Sequence, residues 1–189
     1  EGLVDVGGAV SVESNPALQS MNGLAPQSVG AAFWVKRNPQ LTDLSAASGL
    51  TSIGGALNLQ DNTALASLED LAGVTALGGY LRVEGSPLLT DLSPLQHIDP
   101  TTITQLLLQD LPGVSQCALA NICTYLGLPD AQPTIADNGA GCASVAEVEA
   151  ACSSVGVEGI AGNAGTLRVF PNPATAQIAV EVQEPGVVH

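Results

Sequence analysis

The stretch Gly54–Leu68, GGALNLQDNTALASL, returns 24 residues later as Gly78–Leu92, GGYLRVEGSPLLTDL. In the first copy Leu57 and Leu59 alternate with Ala56, Asn58 and Gln60, the pattern of a short strand with one buried face. The same two apolar positions recur as Val10 and Val12, Phe33 and Val35, Leu81 and Val83, and Leu106 and Leu108. Asn15, Asn38 and Asn62 follow the strands at intervals of 23 and 24 residues, and Ser86 follows another 24 on. Such a period marks stacked units, none of which buries its apolar face alone. The expected fold class is mainly β, a parallel β-solenoid of five to six coils with about 24 residues each.

Each coil has three parts. After the strand, Asn tolerates unusual backbone angles and its amide can satisfy backbone groups, so Asn15, Asn38 and Asn62 are expected to stack as an internal ladder. Leu65, Leu68, Leu71, Val74 and Leu77 then recur every third residue, which suits a 3₁₀ or irregular return segment better than a long α-helix. The pairs Gly7-Gly8, Gly54-Gly55 and Gly78-Gly79, with the single Gly30, mark the corner into the next strand, where a side chain would not fit.

Composition narrows the function. Charged residues make up 12% and apolar residues 46% of the 189, yet eighteen acids against four bases leave a net charge of −14. Nucleic acid is an unsuitable partner, because phosphate contacts need clustered Lys and Arg. No run approaches the roughly 18 apolar residues of a membrane span. The chain begins at Glu1 with no leader ahead of it; a removed signal peptide and a start within a longer gene both account for this. Glu1 to Val6 reads as a partial turn.

Cys117, Cys123, Cys142 and Cys152 all fall at the end of the array. Their spacings of five, eighteen and nine residues, with no His among them, suit disulfides better than zinc. Three pairings exist. Cys117 with Cys142 and Cys123 with Cys152 is favoured, since each bond would staple one coil to the next, at about 3 to 4 kcal/mol apiece in the chain-entropy model. Ala118 to Tyr125 and Ser144 to Ala150 are expected helices, which with the cysteines would cap the last coil. Disulfides imply an oxidising compartment.

The run L-N-L-Q-D-N-T-A-L from Leu57 resembles the leucine-rich repeat, L-x-L-x-x-N-x-L, with one extra residue after the Asn. That longer gap, the Gly-Gly corner, and Asn15-Pro16 and Asn38-Pro39 after the strand are more similar to the receptor L domain, the right-handed solenoid of receptor ectodomains and many bacterial surface proteins. The resemblance covers roughly residues 4 to 142 and departs at Ser86 and Leu111, where the Asn is missing. It implies residues 1–152 as solenoid plus cap.

After Cys152 the composition shifts to Gly, Ser and Ala, so residues 153–164 read as a linker. Residues 165–189 then show a strand, a turn at Pro171-Asn172-Pro173, and the alternating Ile178, Val180 and Val182, one hairpin and too little to be stable alone. The run Val169-Phe170-Pro171-Asn172-Pro173-Ala174-Thr175 is similar to the start of the C-terminal sorting domain of type IX secretion cargo in Bacteroidetes; an ordinary hairpin of an accessory domain is the alternative. The resemblance implies a partner in the secretion machinery, and a protein that is secreted or anchored at the outer-membrane surface.

No catalytic constellation is legible. His97 reads as a solvated corner residue, and no nucleophile elbow, zincin, phosphate-loop or EF-hand pattern occurs. Asp43 and Asp91 fall at equivalent turn positions and read as turn caps rather than calcium ligands. The residues call for no metal or cofactor. The functional lead is the outward strand face, where Trp34, Lys36, Asn58, Gln60, Tyr80, Arg82 and Glu84 gather as candidate ligand-binding residues. Its partner would be a protein or glycan, and the chain a monomer. Two other readings stay open: Trp34 and Tyr80 merely cover the sheet beneath a neighbour, or the chain is a passive spacer of a larger secreted protein. An enzyme is disfavoured, because Glu13 and Glu84 lie three coils, about 14 Å, apart. Arg37 is expected to pair laterally with Asp61. On this reading Leu59→Asp unfolds the array while Asn58→Asp, on the exposed face, is nearly silent.

Overall fold

The computed structural model describes residues 4–154, 168–170 and 179–181, and the chain divides into two compact units after Ser154. Ten strands of the first unit form two parallel sheets. The larger holds β2 (Val10–Glu13), β4 (Phe33–Lys36), β6 (Leu57–Gln60), β8 (Leu81–Glu84), β9 (Leu106–Gln109) and β10 (Pro133–Ala136) side by side in that order. The smaller holds β1 (Asp5–Val6), β3 (Ser28–Val29), β5 (Ser52–Ile53) and β7 (Ala76–Leu77). Up to β8 the chain visits the two sheets alternately, and equivalent residues pair: Phe33 with Leu57, and Leu57 with Leu81.

The smaller sheet is absent from the sequence reading, because a two-residue strand is too short to show a period of two. Strand content is also lower than "mainly β" implies. In the circuit Gly54 to Leu77 only Leu57–Gln60 and Ala76–Leu77 are strand, the rest being corners and return segment. The return segments contain the expected 3₁₀ turns, Ser45–Ala47, Glu69–Leu71 and Ser93–Leu95. Every third residue there faces the core, and Leu65, Leu68, Leu71 and Val74 are all fully buried. Phe33, Val35, Leu57, Leu59, Leu81, Val83, Leu106 and Leu108 meet them from the larger sheet.

At the corner between sheets, backbone lies directly on backbone. A Cβ on Gly54 would strike the carbonyl oxygen of Gly30, and one on Gly78 that of Gly54, closer than real Cβ contacts come. The approach is productive: Gly54 N–H donates to Val29 C=O at 2.7 Å, and Gly78 N–H to Ile53 C=O at 2.9 Å.

The opposite corner inverts the strand's phase. Residue five of each long-strand segment, namely Ser14, Arg37, Asp61, Gly85, Asp110 and Asp137, has φ of 58, 55, 55, 62, 53 and 57°. Pure alternation would send the fifth side chain inward and the sixth outward; one left-handed residue turns the sixth inward instead. Asn38 and Asn62 are thereby fully buried. Asn62 Oδ1 accepts the Asn38 N–H at 3.2 Å while its Nδ2 donates to Val35 C=O at 2.7 Å. Asn38 does the same to Asn15 N–H at 3.0 Å and Val12 C=O at 2.9 Å. Ser86 is too short to continue the ladder, and its hydroxyl returns to Glu84 C=O at 3.4 Å.

Beyond β9 the chain forms α1 (Ala120–Leu126) and α2 (Val145–Ser154), within one to four residues of the expected helix ends. Disulfides join Cys117 to Cys142 and Cys123 to Cys152, with Cα–Cα distances of 5.4 and 5.5 Å. Buried Asn121 of α1 donates to Leu95 and Ile98 carbonyls at 2.9 and 3.2 Å, fastening the helix to the return segment of the β8 circuit. In the second unit β11 (Arg168–Phe170) pairs antiparallel with β12 (Ala179–Glu181), Val169 opposite Val180. Pro171, Asn172 and Pro173 lie outside the described residues, as does the expected linker beyond Ser154, its Ser153 and Ser154 being the last residues of α2.

Replacing Asn62 by Ala strands the Asn38 N–H and the Val35 C=O inside the stack, and chemical denaturation should show a loss of about 1–3 kcal/mol. Asn15→Ala, at an exposed rung, should cost well under half as much. Reductant should lower the melting midpoint.

Candidate binding face

Strand alternation puts one side chain in two on the outer face of the larger sheet. Trp34, Asn58 and Arg82 are register neighbours on β4, β6 and β8, and so are Lys36, Gln60 and Glu84. Tyr80 precedes β8. Six of these seven residues are partly exposed, Trp34 and Tyr80 among them. Asn58 is not: it is only 3% exposed, so its expected place on an open surface is corrected. Larger side chains on both flanks and Tyr80 close over it, and its Nδ2 donates to the Tyr80 hydroxyl at 3.3 Å.

Two polar atoms under this cover lack a partner among the described residues: Trp34 Nε1, a donor, and Asn58 Oδ1, an acceptor. Buried polar groups of this kind are uncommon in folded proteins, since each forfeits hydration with no compensating bond.

The charges on and beside the face are matched within it. Glu13 accepts from the Ser11 hydroxyl at 2.6 Å, meets Lys36 Nζ at 3.1 Å and receives Arg37 Nη2 at 3.2 Å. The Ser11 hydrogen bond and then that of Lys36 hold its carboxyl below the ordinary range. Arg37 Nε also donates to Ser14 Oγ at 3.0 Å, so this guanidinium pairs with the preceding circuit and not with Asp61. With φ at 55°, residue 37 sends its side chain back along the stack toward β2. Lys36 Nζ sits 4.5 Å from the Trp34 ring centroid, a cation–π contact worth about 0.5–1 kcal/mol where exposed. Arg82 pairs with Glu84 on its own strand. Surface pairs of this sort contribute about 0–1 kcal/mol each.

Elsewhere the acids cap turns. Asp43 accepts the Ser45 hydroxyl at 2.6 Å and its N–H at 3.1 Å, Asp91 does the same with Ser93 at 2.7 and 2.8 Å, and Ser67 Oγ takes the equivalent place for Glu69 N–H at 3.1 Å. These bonds lower both aspartate pKa values, the serine hydroxyl acting most strongly. Among the described residues no group of three or more His, Cys, Asp or Glu is placed to hold a metal ion. His97 is exposed.

Asn138, which the sequence reading passed over, is a third inward amide of the ladder. Its Oδ1 accepts Leu111 N–H at 3.1 Å and its Nδ2 donates to Leu108 C=O at 2.9 Å. The signal was present, since Asn138 stands five residues after Pro133 as Asn62 does after Leu57. A spacing of 27 residues from Leu106 to Pro133 and a Pro at the strand's start hid it.

With this geometry in place, comparison finds no matching family model, no curated relative and no solved structure.

Two outcomes follow. Asn58→Asp should now be destabilising by about 1–3 kcal/mol in a denaturation series, because it places a carboxylate where an amide is sealed from water. For Asp43 and Asp91 the native state prefers the ionised form, so their stabilisation is complete above the unfolded carboxylate pKa of about 4 and is lost as pH falls through the lower folded value. A Ser45→Ala, Ser93→Ala variant should show a flatter acid limb in the melting midpoint below about pH 4.

Proposed function

We propose that this chain is a right-handed β-solenoid of the receptor L-domain or leucine-rich-repeat kind, secreted or held at the cell surface, that binds a protein or glycan through the outer face of its larger sheet. The observation that carries the reading is the sealed but unpartnered pair Trp34 Nε1 and Asn58 Oδ1 beneath the partly exposed Trp34 and Tyr80. Groups that violate hydrogen-bond satisfaction concentrate where a protein functions, and of the three such side-chain atoms among the described residues two lie on this face, the third being Asn121 Oδ1 of α1. A donor and an acceptor on adjacent strands match a ligand hydroxyl or peptide group, which can accept from one and donate to the other once Tyr80 swings aside. Aromatic side chains rimmed by polar ones supply the contact area that recognition surfaces use.

Binding suits the face better than catalysis. Its carboxylates, Glu13 and Glu84, are engaged by Lys36, Arg37 and Arg82 and are not free to share a proton-transfer task. The two disulfides favour an oxidising compartment, and no helix among the described residues is long and apolar enough to cross a membrane. The Val169–Thr175 run supports delivery by the type IX route, with the sorting segment as the part that meets the secretion machinery.

Glycan and peptide arrays probed with the native protein and with the Trp34→Ala, Tyr80→Ala double variant test the reading. At least a tenfold loss of every specific signal is expected, with circular dichroism showing the fold retained. A double variant that keeps every interaction moves recognition off this face and leaves the chain an accessory spacer.

A further inference from the structure

Gly30, Gly54 and Gly78 are glycine because a carbonyl of the preceding corner occupies the place of their Cβ, and Gly55 and Gly79 are pressed in the same way by Ala31 and by Gly55 and Ala56. Gly7 stands at the head of the first column, which is glycine through Gly78, and Gly8 at the head of the second, where Ala31 shows that a Cβ is tolerated; a Cβ on Gly7 would meet no described atom within 4 Å. Neither has the positive φ that would make glycine necessary for conformational reasons. Gly7 therefore carries the mark of a neighbour that lies outside the described residues.

Other features of the same end agree. β1 and β2 are the edge strands of their sheets, each paired on one side only. Since Val10 and Ser14 N–H groups bond toward β4, alternation turns the N–H groups of Ser11 and Glu13 to the open side. Asn38 and Asn62 send Nδ2 to a carbonyl one circuit back, whereas Asn15 Nδ2, with no such carbonyl among the described residues, donates to its own Glu13 C=O and to Asn38 Oδ1, both at 3.1 Å. Val4 is 50% exposed, and Val6 and Val12 are only partly buried, while their column-mates Val29, Ile53, Val35 and Leu59 are closed off. The far end has no such opening, because α2 packs on β10 and both disulfides lie there.

We infer that the β1/β2 edge is the docking surface of one more circuit of the same repeat, supplied by polypeptide immediately upstream of Glu1 and running parallel to β1 and β2. A glycine column in 24-residue register accepts only backbone that rises with the same pitch. A second copy cannot offer that from its far end, where α2 covers β10, and two open ends meeting face to face would pair antiparallel, out of register with the glycines. The inference is independent of what the outer face binds.

The reading frame gives the first test. The residues about 23 to 24 positions before Gly7 and Val10 should show a corner of small residues followed by apolar-x-apolar, and a frame with no such unit overturns the inference. In the protein extended by that unit, amide exchange at Ser11 and Glu13 should slow at least tenfold relative to the 189-residue chain. Gly7→Val should lower the melting midpoint of the extended protein by about 3 °C or more and leave the shorter chain unchanged, with Gly30→Val lowering both as the control. Silence of Gly7→Val in the extended protein, or a dimer of the shorter chain in the ultracentrifuge that Gly7→Val dissolves, would overturn it, the latter in favour of a second copy.

Discussion

The contact on which the structure depends is backbone resting on backbone at the Gly30, Gly54 and Gly78 corner. Carbonyl of one circuit fills the Cβ position of the next, and the adjoining N–H groups bond across at 2.7 to 2.9 Å. A slip that put the preceding residue there would bring the side chain of Val29, Ile53 or Leu77 into the gap. The contact holds the strands of both sheets in register, and the register aligns Leu57 with Leu81 and Leu59 with Val83 inside, Asn58 with Arg82 and Gln60 with Glu84 outside. A one-residue slip would exchange the two sets.

The left-handed residue after each long strand is the counterpart of that corner. It rotates a polar amide into a chiefly apolar interior, where Asn38, Asn62 and Asn138 satisfy the N–H and C=O groups that a bending chain leaves unpaired. Asp suits such a position because it visits the left-handed region more readily than most residues, and Gly85 does so without strain. The same residue types that read as loop composition are thus part of the core's hydrogen bonding.

The outer face is organised differently. Its three cations and two carboxylates form a closed set, and its single sealed amide is half satisfied. Three cations against two carboxylates leave this side at +1, in contrast with a chain of net charge −14, and acids elsewhere include the turn caps Asp43, Asp91 and Asp99.

The period, the inward leucines, the Asn ladder as far as Asn62, the cysteine pairing and the two cap helices are legible in the chain, because each rests on a pattern repeated at fixed spacing or on local composition. Four things had to wait for the tertiary structure. The second sheet is made of two-residue strands that carry no pattern of their own. Asn138 continues the ladder across an insertion that breaks the count, and Arg37 turns to Glu13 because its backbone is left-handed. The burial of Asn58 is decided by the side chains around it, Tyr80 bonded to it and Trp34 and Arg82 beside it in register, which alternation along a strand does not determine. Periodicity says which way a side chain leaves the backbone; only the packed neighbours say whether it meets water.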